Sequence, residues 1–263
     1  MRCAETALVQ ARDLDALLDL DTEKVPLMAK EEDTAPARDV RVVRDMAMDQ
    51  DADSDLVMGL VVVEEKDGRI MLVYDCEIVK AIQSKEPRRP GIEYCAGWED
   101  HANMGISVTC VYDCERDRYR VFCKDNMDEF QALVHQHDIL VGFNSIRFDN
   151  RLLRANGIEI DDSHCYDLLA AIWVGSGLTP TWGGFSTHGG FSLDDTAALN
   201  LGHKKTGNGA LAPVLWQEGR IGTVIDYCLE DVRLTVQLLD RVIESGMLMS
   251  PKTHKPIKVR RPV

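Results

Sequence analysis

The chain lacks any apolar run approaching the roughly 20 residues that a membrane-spanning helix requires, which argues against a place in the bilayer. It also lacks the opening of a secretory signal. Met1 to Asp21 carries acids where such a signal carries basic residues and then an apolar core, so a cytosolic (cytoplasmic) protein is expected. Its eight cysteines lack the clustered spacing of a zinc site, Cys110 and Cys114 being the closest pair. Cys76, Cys110, Cys123 and Cys228 sit inside apolar stretches, where a reduced cysteine packs as a small core side chain. Neither a disulfide framework nor zinc is expected. No internal repeat is evident, and His135, His137, His164 and His188 show no ligand spacing. An excess of positive charge is missing too: the net charge is −14, whereas phosphate binding favours basic surfaces. The distribution softens that objection, because residues 1–55 hold 15 acids and 7 bases and leave only −6 for the other 208 residues. A site built of carboxylates adds formal negative charge that a bound cation cancels.

What remains is ordinary for a globular protein, with 45% hydrophobic and 28% charged residues and length enough for a well-buried core. Residues 1–55 read as an acidic appendage, partly disordered or partner-binding: past a short helical stretch at Ala11–Leu20, EEDTAPARD and DQDADSD have little to bury. From residue 56 the pattern changes. VMGLVVVEE and RIMLVYDCEI are β-branched apolar runs flanking the turn Lys66-Asp67-Gly68, and ISVTCVYD and RYRVF flank the polar turn CERD. DEFQALVHQH has helical spacing, ILVGF is a short buried strand, and helical signals follow in SIRFDNRLLRANG, YDLLAAIWV, SLDDTAALNLG and Ile221–Glu244. Ser192 with Asp195 resembles a capping box, and Gly157 and Gly202 suit helix ends. The order predicts an α/β domain over residues 56–250, a mixed sheet flanked by helices, followed by an extended basic tail over 251–263.

Three acidic motifs stand out by context. The pattern D-x-E occurs at Asp21/Glu23, Asp75/Glu77 and Asp113/Glu115. Asp75 and Glu77 end the apolar run Ile70–Tyr74, so alternation along a strand projects both carboxylates from one face, at a cost unless they bind a cation or another partner. The Asp113/Glu115 pair falls in a turn, where acids are ordinarily solvated, and Asp21/Glu23 in the appendage. Asp149 lies at a strand-to-helix junction five residues after Asn144; on its own it is equally a first-turn aspartate favouring the helix dipole. Tyr227 and Asp231 are four apart and so share a helix face, and Tyr227 alone of six tyrosines has an aspartate at that spacing. Taken alone, that pair reads as a surface hydrogen bond.

Together, D-x-E on a strand, N-x-x-x-F-D at a strand–helix junction and Y-x-x-x-D on a late helix resemble the three motifs of the DEDD exonuclease superfamily, tyrosine-type branch, which includes the proofreading domains of many DNA polymerases and ribonuclease D. The resemblance covers roughly Ile70 to Gly246, and SLDDTAALNLGHKK with LWQEGRIGTVIDYCLEDVRLT is similar to stand-alone bacterial and phage members. It implies a ribonuclease H-like fold and a 3′→5′ exonuclease acting on the 3′ end of single-stranded nucleic acid, DNA slightly favoured over RNA. Two divalent cations, Mg²⁺ or Mn²⁺, would be held by Asp75, Glu77, Asp149 and Asp231, with Asp75 bridging them. Tyr227 would orient the attacking water. Ile78, Asn144 and Phe148 match positions near the terminal nucleotide. Phe148 suits either stacking on a base or sugar or packing in the core, and Ile78 stands where threonine is usual, which removes a hydroxyl. Asp167 is a weaker candidate for the active site. A nuclease-like module that binds without cutting, and a protein partner docked on residues 1–55, are the competing expectations.

Overall fold

The computed structural model describes residues 69–83, 87–203 and 209–262. The acidic appendage, the strand expected over 57–65 with its Lys66–Gly68 turn, and Lys204 and Lys205 lie outside the described residues. The strands, in chain order, are β1 (Met71–Ile78), β2 (Ala81–Ile82), β3 (Tyr94–Cys95), β4 (Ile106–Asp113), β5 (Arg118–Phe122), β6 (Ile139–Gly142), β7 (Cys165–Asp167), β8 (Met247–Met249) and β9 (Pro256–Lys258). The helices are α1 (His101–Met104), α2 (Met127–Gln136), α3 (Asp149–Ala155), α4 (Leu168–Gly175), α5 (Phe185–His188), α6 (Leu193–Leu201), α7 (Ala212–Gln217) and α8 (Ile221–Ser245).

Five strands form the central sheet in the order β5-β4-β1-β6-β7. β4 pairs antiparallel with both β1 and β5, while β6 runs parallel to both β1 and β7. The antiparallel half is a hairpin closed by the short CERD turn, and the parallel half needs the helical crossovers α2 and α3. This is the mixed α/β sheet flanked by helices that the sequence predicts, consistent with a ribonuclease H-like fold. β1 is central, and its alternation assigns its two faces. Leu72, Tyr74, Cys76 and Ile78 join Phe130 of α2 and Leu152 and Leu153 of α3 on one side. Val73 joins Val224, Cys228, Val232 and Leu239 of α8 on the other. At about 25 cal/mol per Å² of apolar area withdrawn from water, burial in these cores favours folding.

Four local expectations change. The helix expected from Ser145 starts at Asp149, because Asn144 takes a left-handed conformation (φ 65°) and the chain turns before the helix begins. Tyr166 and Asp167, read as helical, belong to the edge strand β7, and Asp167 caps α4 by accepting from the N–H groups of Leu169 and Ala170. Asp113 is buried rather than solvated. It accepts hydrogen bonds from the backbone N–H groups of Glu115 and Arg116 and from the Arg116 guanidinium, and it faces His137 Nε2 at 3.4 Å. The basic tail is extended as expected, but it pairs through β9 with β8, and Ile257 and Val259 join a third core beside Leu168 and Leu238. Ser192 caps α6 by accepting from Asp195 N–H, and Gly202 closes it in the left-handed conformation. Among the described residues no helix is long and apolar enough to cross a membrane.

Candidate metal centre

The α8 face of β1 carries Val73, Asp75 and Glu77 in succession, so two carboxylates continue an apolar row toward the helix that covers it. On α8, Val224, Cys228, Asp231, Val232 and Leu239 recur at helical spacing, and Asp231 is the carboxylate within that buried stripe. One carboxylate oxygen from each of Asp75, Glu77 and Asp231 lies within 4.8 Å of the others. Glu77 and Asp231 are less than a tenth exposed. Three like charges gathered this closely, two of them withdrawn from water, are costly without a compensating cation, and an all-oxygen donor set is the kind hard divalent cations prefer. The triad could hold a metal ion. β1 also changes register against β4 between Glu77 and Ile78, a bulge of the kind that re-aims side chains at strand ends. Cys228 donates its thiol to the Asp75 carbonyl at 3.4 Å and its carboxylate at 3.6 Å.

Asp149 reaches the same place from the opposite side of the sheet. β6 pairs with β1 only as far as Val73, so the Cys76 N–H beyond that point has no ladder partner on that side. Asp149 Oδ1 accepts it at 3.1 Å, which inserts the carboxylate beside the strand between Asp75 and Glu77. Burial pushes the Asp149 carboxyl up to about 8; hydrogen bonds from the backbone N–H groups of Asp149 and Cys76 oppose this, and the charges of Asp167 and Asp231 add to it. The neighbouring α3 residue, Asn150, is fixed by the Tyr74 hydroxyl and by Asp162, so helix and strand are tied together where Asp149 enters.

Asp75, Glu77, Asp149 and Asp231 open on one cavity of about 680 Å³, which Ile78, Asn144 and Phe148 also line. The structure therefore brings together the residues proposed from sequence except the weaker candidate Asp167 and Tyr227; Tyr227 is not among those lining the cavity. Its ring packs on the α8 core, and its hydroxyl lies against Gly209, which does line it: a Cβ on Gly209 would sit 2.8 Å from that oxygen. Asp167 does not line this cavity. It accepts from the backbone N–H groups of Asn144 (2.9 Å), Ile146 (3.2 Å), Leu169 (3.0 Å) and Ala170 (3.2 Å), fastening the turn before Asp149 to the start of α4. Burial holds its carboxyl above the ordinary range despite those four donors.

Sequence reasoning missed an aromatic wall. Of four tryptophans, Trp98, Trp173 and Trp182 line this cavity, joined by Phe185 and Arg147. The available signal was the aromatic and glycine-rich stretch WGGFSTHGGF from Trp182 to Phe191, which has no strand or helix period and so drew no attention.

No family model matches the chain, and no curated protein matches it. Among solved structures it is similar to the family B DNA polymerase from the hyperthermophilic archaeon Pyrobaculum calidifontis, at 16% identity and a TM-score of 0.44. The match covers 66% of this chain and 24% of the polymerase, so the chain spans about a quarter of that protein's length.

Proposed function

We propose that this protein is a metal-dependent 3′→5′ exonuclease that hydrolyses phosphodiester bonds at the 3′ end of single-stranded nucleic acid. The observation that carries the reading is the convergence of Asp75, Glu77 and Asp231 oxygens within 4.8 Å, with Asp149 entering beside them from α3. These four carboxylates would hold two divalent cations, Mg²⁺ or Mn²⁺. When bound, the pair supplies an activated water on one side of phosphorus and a stabilised leaving oxygen on the other. Without cations the four acids repel a phosphate, so the cavity accepts nucleic acid productively only in the metal-loaded state. Cys228 steadies the Asp75 carboxylate, and Tyr227 Oη, beside Gly209, is assigned the hydrogen bond that orients the attacking water. Ile78, Asn144 and Phe148 surround the place of the terminal nucleotide, where the Phe148 ring offers a face for sequence-tolerant stacking.

The test uses 5′-labelled single-stranded DNA and RNA oligonucleotides with Mg²⁺ or Mn²⁺, with EDTA, and with Asp75→Ala beside the wild type. A ladder shortening from the 3′ end is expected only with metal, and the variant should be slower by on the order of 10²–10³-fold or more, the scale of losing one group that stabilises transition-state charge. Folded wild-type protein that leaves both substrates intact under all metal conditions would refute the reading.

A further inference from the structure

The cavity wall beyond the carboxylates is aromatic and stands open to solvent. Phe185 is 85% exposed and Trp98 is 66% exposed, although large apolar side chains are ordinarily withdrawn from water. The Trp182 and Phe185 rings meet at right angles with centroids 5.1 Å apart, and the Arg147 guanidinium lies over Trp182 at 4.8 Å from its centroid. Trp98 meets Phe148 edge-on at 5.9 Å. Two aromatic arms thus line the cavity, Arg147–Trp182–Phe185 and Phe148–Trp98, and they join at the consecutive residues Arg147 and Phe148.

The segment that presents Phe185 is fastened in place. Buried His188 accepts the Gly183 N–H at Nδ1 (3.2 Å), so Nε2 carries the proton and donates it to the Thr179 carbonyl (3.1 Å). A Cβ on Gly183 would fall 2.8 Å from the His188 ring, which restricts that position to glycine. Lys252 donates to the carbonyls of Ser186 (3.2 Å) and Thr187 (2.7 Å). The Phe185 ring is therefore held outward by interactions on both sides of it.

We propose that these two arms are a base-stacking clamp for unpaired nucleotides at the 3′ end of a single strand. The assignment rests on the exonuclease reading for its ligand. A ligand that fills this cavity must offer a phosphate to a cation-binding carboxylate cluster and flat apolar rings to the wall, and an oligonucleotide carries both on one chain. A volume of about 680 Å³ is in the range of small-ligand sites. Stacking uses the π-face that every base has, so the clamp selects single strands without selecting sequence.

The test compares the binding of a 5′-fluorescent phosphorothioate (dT)12 with that of an abasic 12-mer of the same backbone, by anisotropy in Mg²⁺, so that the carboxylates are neutralised and neither strand is cut. The ratio of the two Kd values cancels the phosphate contribution. The wild type should prefer the base-bearing strand by about tenfold or more, and Phe185→Ala, at an exposed site where folding is spared, should shrink that preference about fivefold or more. Phe185→Trp should restore it, and Trp182→Ala should shrink it further. Equal binding of the two strands by the wild type, as expected if the wall serves a protein contact, or an unchanged ratio in Phe185→Ala, overturns the clamp. A metal-dependent ladder alongside an unchanged ratio would sink the clamp and spare the exonuclease. A lost ratio in Phe185→Ala without any ladder would uphold the stacking site and sink the exonuclease.

Discussion

At Asp149 two requirements meet: the carboxylate is buried deeply enough to reach Cys76 N–H, yet it must be ionised to face a cation. Its carboxyl lies at about 8 against an ordinary 3.8, so between those limits the folded chain holds a proton that the unfolded chain releases. Stability from this group is present at low pH and is lost as pH rises toward about 8. In metal-free protein, urea midpoints should fall between pH 5 and pH 8, and Asp149→Asn should flatten that fall. Mn²⁺ affinity should move the opposite way, rising with pH through the same window, because the ligand must lose its proton. A metal affinity independent of pH would contradict this. Strand alternation made the Asp75/Glu77 pair legible in the sequence, whereas Asp149 and Asp231 stood out only through the resemblance of the three motifs taken together. The neighbour of the Tyr227 hydroxyl was not legible, since Gly209 lies 18 residues away in the sequence and meets it only in the fold.

At the scale of elements, the turn from β6 into α3 decides whether Asn144, Phe148 and Asp149 arrive together. Asp167 holds that turn with four hydrogen bonds from backbone N–H groups, two in the turn and two at the start of α4. Asp167→Ala should therefore cost about 2 kcal/mol or more in urea unfolding, combining a lost helix cap with orphaned buried donors. It should also raise KM for single strands, because the nucleotide-facing residues lose their anchor. Asp167→Asn should recover part of the stability, since its single carbonyl oxygen still accepts. If Asp167→Ala unfolds at the wild-type midpoint, the turn is held by something else. The long strands and α8 were readable because β1 opens on a continuous apolar run and is buried on both faces, and α8 repeats its apolar stripe over 25 residues. β7 was not, because its three residues show no period, and the aspartate before Leu-Leu-Ala-Ala was the N-cap signal that should have started the helix only after it. The loop from Trp182 to Phe191 was illegible for another reason: its shape comes from His188 meeting Trp173 and Thr179, partners that lie outside it in the sequence.

At the scale of the whole molecule, a net charge of −14 opposes a polyanionic ligand everywhere except where cations or arginine offset it. Among the described residues lining the cavity, Arg147 is the basic side chain. Association should therefore neutralise few phosphates and draw the rest of its free energy from stacking. For a single strand each neutralised phosphate contributes about −0.7 to the slope of log K against log salt. With about one to three phosphates engaged, the slope with Mg²⁺ held constant should lie near −1 to −2. Raising monovalent salt from about 50 to 200 mM would then weaken binding of an uncleavable phosphorothioate (dT)12 only about four- to fifteenfold. Trp182→Ala should lower affinity at every salt concentration and leave the slope alone, whereas Arg147→Gln should make the slope shallower by about 0.7. A slope near −5 would mean that a broad basic surface elsewhere on the chain carries the strand, and the aromatic wall would then be secondary to it.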